Sequence, residues 1–189
     1  MYKSMHERIS FFSTFIKNPA EVGSVTPSSK YLTNEIIKNI DFKKSITIVE
    51  LGPGLGTFTK HILKNARQNV KLICLESNKK FCNYIAGNIL DERLTVIHGK
   101  AEKLSSILEN INIKKADCII SGLPILNFSA QKKSELLSEV KKCLRNKGKF
   151  ILFQYTNNLS RMLGIHFAKI DKKFVPLNVP PCFVYVCRN

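Results

Sequence analysis

The chain predicts an α/β fold, a seven-stranded and mostly parallel sheet that ends in an antiparallel C-terminal hairpin and follows an N-terminal helical extension. Three observations carry this. Between Ser45 and Tyr155, short apolar runs of strand length alternate with amphipathic segments of helix length. The first of those runs opens directly into Gly52-Pro53-Gly54-Leu55-Gly56. The last two strand candidates are joined only by Pro176 to Pro181, too short for a right-handed helical crossover, so they should pair antiparallel.

Taken in order, residues 5 to 17 form a helix candidate, with Met5, Ile9, Phe12 and Ile16 at helical spacing and Phe11 and Phe15 widening the stripe. Asn18-Pro19 ends it. Thr26-Pro27 reads as an N-cap followed by proline at the first helical position, starting a helix to about Ile40. Residues 1–44 are therefore the extension, and 45–189 the core. Strands are expected at Ile46–Leu51, Lys71–Glu76, Leu94–His98, Ala116–Ser121 and Lys149–Tyr155. Between them lie helices at Thr57–Ala66, Asn78 to about Ile89, Leu104–Asn110 and Gln131–Leu144, the last closed by Asn146-Lys147-Gly148. A short helix near Asn158–Leu163 precedes the terminal strands Phe167–Phe174 and Phe183–Val186.

The chain has 189 residues, is 44% hydrophobic and 23% charged, and no apolar run approaches the roughly 20 residues of a bilayer span. No signal-peptide pattern opens it, so a cytoplasmic location is expected. Thirty Lys and Arg against 14 Asp and Glu give a formal charge of +16, a field that favours a polyanionic partner, either nucleic acid or an anionic lipid surface. The same excess also aids solubility. The six cysteines form no C-x-x-C pair, so neither zinc nor a disulfide framework is expected, and buried reduced thiols are.

A strand running into Gly52-x-Gly54-x-Gly56 and then a helix holds a ligand at the carboxyl edge of a sheet, because glycines let it approach the backbone. Glu76 ends the second strand, twenty residues beyond Gly56, where a carboxylate can accept bonds from both ribose hydroxyls. NAD would require G-x-G-x-x-G, and Thr57 stands where its third glycine belongs. A phosphate loop would end in Gly-Lys-Ser/Thr, which is absent. A purely structural turn is the bland alternative, and Glu50 with Glu76 weighs against it. The run Glu50-Leu51-Gly52-Pro53-Gly54-Leu55-Gly56 resembles motif I of the Rossmann-like class I S-adenosylmethionine (SAM)-dependent methyltransferases. That resemblance implies SAM as cofactor, with Glu50 near its methionine amino group. Gly52, Pro53, Gly54, Gly56, Glu76 and Ser77 would line the site. Lys100 and Ala101 follow the third strand; Lys100 replaces the usual Asp, which leaves the Ala101 backbone for the adenine.

Ser121-Gly122-Leu123-Pro124 follows the fourth strand, where the methyl-accepting atom is faced. Together with Phe11-Phe12, Lys17-Asn18-Pro19, the run from Val22 to Ser29, and Asn178-Val179-Pro180-Pro181, it resembles bacterial phospholipid N-methyltransferases of the phosphatidylethanolamine type. The resemblance implies stepwise methylation toward phosphatidylcholine, with Ser121 in the site and the protein peripheral on the inner face of the cell membrane. Ribosomal RNA adenine methyltransferases are the alternative. They carry Asn-Leu/Ile-Pro-Tyr/Phe after the fourth strand, with an aromatic that stacks on the base, and Ile125 offers no such face. A non-catalytic module that binds lipid or RNA is a third reading, opposed by the intact acidic and glycine positions.

No His or carboxylate in the acceptor motif is an evident base, and positioning should dominate the displacement. Tyr155 and Tyr31 are candidate proton or phosphate contacts, beside the bland reading of core tyrosines. Ser28, Ser29, Lys30 and Arg161 are candidates for a head-group phosphate, although helix-start serines commonly satisfy only the backbone. The stripe over 5–17, flanked by Lys3, Arg8 and Lys17, suits either a membrane interface or a packed lid.

Overall fold

The computed structural model describes residues 28–189. The helix expected over 5–17 and the cap at Thr26-Pro27 lie outside the described residues. Seven strands form one sheet: β1 (Thr47–Leu51), β2 (Lys71–Glu76), β3 (Leu94–His98), β4 (Ala116–Ser121), β5 (Leu144–Gln154), β6 (Lys169–Val175) and β7 (Cys182–Arg188). Their order is β3-β2-β1-β4-β5-β7-β6. Strands β1 to β5 pair in parallel, and β7 runs antiparallel to both β5 and β6. Among the described residues six α-helices connect or precede them: α1 (Lys30–Ile37), α2 (Thr57–Asn65), α3 (Lys79–Asn88), α4 (Leu104–Asn110), α5 (Ala130–Cys143) and α6 (Ser160–His166).

The central strands β1, β2 and β4 are apolar on both faces because helices cover both. Alternate residues feed two separate cores. Val49, Leu51, Ile73, Leu75 and Ile119 join Leu104, Leu136 and Leu163 from α4, α5 and α6 on one side. Ile48, Leu72, Cys74, Cys118 and Ile120 join Leu32, Ile36, Phe58 and Ile62 from α1 and α2 on the other. All six cysteines are free and buried within these layers or beside them. No helix among the described residues is long and apolar enough to cross a membrane.

Several boundaries differ from expectation. Helix α1 begins at Lys30 because Ser29 is its N-cap, its Oγ accepting from the Leu32 N–H at 3.2 Å, and it stops at Ile37 rather than Ile40. Asn146-Lys147-Gly148 does not terminate α5. The helix ends at Cys143 and the chain enters β5 at once, Leu144 pairing with Ala116 before Lys149 pairs with Cys118. The surplus residues form a bulge in which Lys147 takes a φ of 89°. Phe167 does not open β6; it stacks on Phe150 with ring centroids 5.7 Å apart, anchoring the end of α6 to the core.

Candidate cofactor and acceptor site

The parallel strands all end on one edge, and the residues expected to hold the cofactor collect there. Gly52 turns the chain out of β1 at a φ of 69°, its N–H donating to the Leu75 carbonyl at 2.9 Å. A side chain there would meet Leu123 Cδ2 at 2.6 Å, so the loop presses against the segment after β4. Gly54 also has a positive φ, 55°, and, its chain neighbours apart, no described residue lies within 4 Å of where its Cβ would stand. That opening is the room a ligand needs against the bare backbone. Gly56 caps α2 in the left-handed region and packs below Ile89. Pro53 is buried inside the turn.

Glu76 stands at the end of β2 with each oxygen holding one backbone donor. Its Oε2 accepts from the Gly54 N–H at 3.2 Å and its Oε1 from the Asn78 N–H at 2.9 Å. Each carboxylate oxygen keeps a lone pair, the acceptor set a ribose diol requires. Glu50 lies deeper, 1% exposed, on β1. Its Oε2 accepts from Thr59 Oγ1 at 2.7 Å and from Cys74 Sγ at 3.4 Å, whereas Oε1 is buried without a partner among the described residues. Burial pushes this carboxyl up to about 7, against the hydrogen bonds that pull it down. An orphaned buried acceptor is costly unless a ligand donor reaches it, and an ammonium would. These residues fit SAM: a diol acceptor, a cation acceptor and an open glycine backbone between them.

The third and fourth strand ends flank this cradle. Ser77 and Lys100 are exposed at the edge and Ala101 is buried in a short 3-10 turn; the Ser77 carbonyl lies 3.0 Å from His98 Nε2. Ser121 is fully buried, and its Oγ accepts from the Leu123 N–H at 3.2 Å, shaping the acceptor turn. Gly122, which sequence reasoning named only as part of a motif, is pinned against the glycine loop. Its N–H donates to the Leu51 carbonyl at 2.9 Å, and a Cβ would stand 2.8 Å from the Gly52 carbonyl oxygen.

Beside it opens a cavity of about 510 Å³ between the ends of β4 and β5, lined by Leu123, Asn127, Lys133, Gln154, Tyr155 and Asn158 among others. Tyr155 therefore stands in the wall, its ring edge-on to Phe153 at 6.0 Å. Gln154 was missed from the sequence. It is buried, and its Nε2 donates to the Leu123 carbonyl at 3.0 Å, fixing the turn across the pocket. Only its place at a strand end signalled it. Tyr31 is exposed on α1 and does not line this cavity, and neither do Ser28, Ser29, Lys30 or Arg161.

The model of the family "Ribosomal RNA adenine dimethylase" matches residues 8–163. The chain belongs to that family. An ornithine lipid N-methyltransferase of Singulisphaera acidiphila is 28% identical over 95% of this chain and 94% of its own length. A probable ribosomal RNA small subunit methyltransferase A of Methanosphaera stadtmanae is 31% identical, over 48% of this chain but 31% of its own length. Among solved structures, a Burkholderia thailandensis 1,6-didemethyltoxoflavin-N1-methyltransferase with bound S-adenosylhomocysteine matches at a TM-score of 0.71 and 13% identity, covering 100% of this chain and 92% of that one. The Geobacter metallireducens precorrin-6y C5,15-methyltransferase matches at 0.67 and 14%, over 85% and 89%. The fold is that of class I methyltransferases, the cofactor is SAM, and the chain is a SAM-dependent N-methyltransferase.

Proposed function

We propose that the chain methylates the amine of a membrane lipid, phosphatidylethanolamine and its partly methylated forms, at the inner face of the cell membrane. The observation that carries this reading is the contact of Gly122 with the Gly52 carbonyl, 2.8 Å from a hypothetical Cβ. A base-holding Asn immediately before Leu123-Pro124 would force the backbone of the glycine loop to shift. Ile125, where a stacking aromatic would follow, is fully buried in the core and offers no face to a base. The lipid N-methyltransferase relative aligns nearly end to end, whereas the ribosomal RNA relative shares about a third of its length.

When bound, SAM supplies an electrophilic methyl group that passes in line to a neutral amine. Glu76 and the Gly54 backbone would hold the ribose of the donor, and Glu50 in its charged form would hold its ammonium group. Gln154 holds the Leu123 turn, so that the acceptor enters between Leu123 and Tyr155. Among the described residues the pocket wall presents Lys133 and Tyr155 but no carboxylate or His. The lipid ammonium must lose its proton before transfer, so the rate at saturating SAM rises with pH until the amine is itself neutral.

Incubation with methyl-labelled SAM and either phosphatidylethanolamine vesicles or ribosomal RNA tests the reading. Label in the lipid fraction is expected. Label in RNA alone overturns it in favour of base methylation, and absence of SAM binding by isothermal titration would leave a non-catalytic module.

A further inference from the structure

We infer that the tip of the β6–β7 hairpin, Leu177 and Val179, is an element that inserts into a lipid bilayer and seats the acceptor pocket against it. Leu177 is 58% exposed and Val179 78%, while Asn178 between them is 3% exposed. Asn178 is clamped: its Oδ1 accepts from the Ser29 N–H at 3.1 Å and its Nδ2 donates to the Pro180 carbonyl at 2.7 Å. The two apolar neighbours are therefore held outward by a buried polar residue, at a cost in solvation.

The tip lies on the functional edge. Phe183 at the start of β7 pairs with Gln154, which lines the acceptor cavity, so the turn between Val175 and Cys182 stands beside the pocket mouth. Phe174, half exposed, packs on Phe183 with ring centroids 5.0 Å apart and continues the apolar surface. The run Phe174-Val175-Pro176-Leu177-Asn178-Val179-Pro180-Pro181-Cys182-Phe183 contains no charged residue in a chain that is 23% charged. Cations border it. Lys172 lies 5.6 Å over the Phe183 ring, Lys173 follows on β6, and Lys30 is exposed next to Ser29. The neighbouring carboxylate, Glu35, is already paired with Lys38 and Lys173.

An apolar point with a basic collar matches an anionic bilayer, where apolar side chains enter the acyl boundary and lysines meet head groups. A protein partner would need a far broader surface, roughly 20–30 residues a side. The substrate arm of this inference rests on the lipid-amine reading; the membrane-binding arm stands by itself.

The test compares the full chain with Leu177→Asp/Val179→Asp and with Leu90→Asp, an exposed residue away from the tip. Vesicles are equal parts phosphatidylethanolamine and phosphatidylglycerol, and each protein is also assayed on dihexanoyl phosphatidylethanolamine dispersed as monomers. The double variant should lose at least tenfold in vesicle pelleting and in rate on vesicles, and stay within twofold on the dispersed lipid, while Leu90→Asp pellets normally. A double variant that pellets like the natural chain overturns the inference, as does a natural chain that pellets with no vesicle. A lowered melting temperature with unchanged pelleting shows the tip covered by protein and overturns it too. Leu177→Ser/Val179→Ser serves should the acidic pair not fold. If the natural chain methylates neither lipid form, the acceptor reading fails while the pelleting comparison still decides the docking role.

Discussion

The N–H of Gly54 donates to Glu76 Oε2 at 3.2 Å, joining the glycine loop after β1 to the acid at the end of β2. The two features that first suggested a cofactor are thus one hydrogen-bonded unit. Glu76→Ala removes the diol acceptor and releases the loop at once. Hydrogen bonds to a charged group are worth about 1.5–3 kcal/mol, so SAM affinity should fall roughly 10- to 100-fold by isothermal titration.

Gly122→Ala places a methyl group 2.8 Å from the Gly52 carbonyl oxygen. Backbone on both sides must move, which should cost about 1–3 kcal/mol in urea unfolding. Because the displaced atom belongs to the cofactor loop, SAM binding should weaken in parallel. Stability lost with SAM affinity intact would mean that the two loops move independently.

Glu50 makes the apo protein pH-sensitive. Its folded-state value of about 7 lies above the ordinary 4.5, so the native chain holds a proton that the unfolded chain releases between those values. Stability from this group is full below 4.5 and is lost as pH rises through about 7, on the order of 3 kcal/mol at most. Glu50→Gln should flatten melting curves across that window while abolishing tight SAM binding. SAM, by drawing out the charged form, should release a proton on binding below pH 7, visible as a buffer-dependent titration enthalpy.

Arg93 offers a control far from the chemistry. Its guanidinium donates to the Leu63, Ala66 and Arg67 carbonyls at the end of α2 and pairs with Asp91. Arg93→Ala strands several carbonyls and should destabilise by about 2 kcal/mol in urea. SAM affinity should stay within twofold.

The alternating core was readable because burial on both faces leaves unbroken apolar runs whose length separates strand from helix. β2, β3, β4 and α4 fall where the pattern places them. The bulge at Lys147 was not readable: Asn-Lys-Gly suits a helix stop equally well, and pairing with Ala116 and Cys118 decides between them. The meeting of Gly54 with Glu76 beside Glu50 was legible because the glycine spacing and strand lengths put them at neighbouring strand ends. Gly122 and Gln154 act through proximity to Gly52 and Leu123, distances that no local spacing encodes. Asn178 shows the same limit, since its partner Ser29 lies at the far end of the chain.

The six buried thiols have a practical consequence. Burial raises every one of them, Cys118 and Cys187 to about 12 and Cys143 and Cys182 to about 11, so little reactive thiolate exists at neutral pH. A single cysteine introduced at the hairpin tip would outpace them in maleimide coupling. The natural sequence thus provides a nearly silent background for attaching a fluorophore and following its depth in a bilayer.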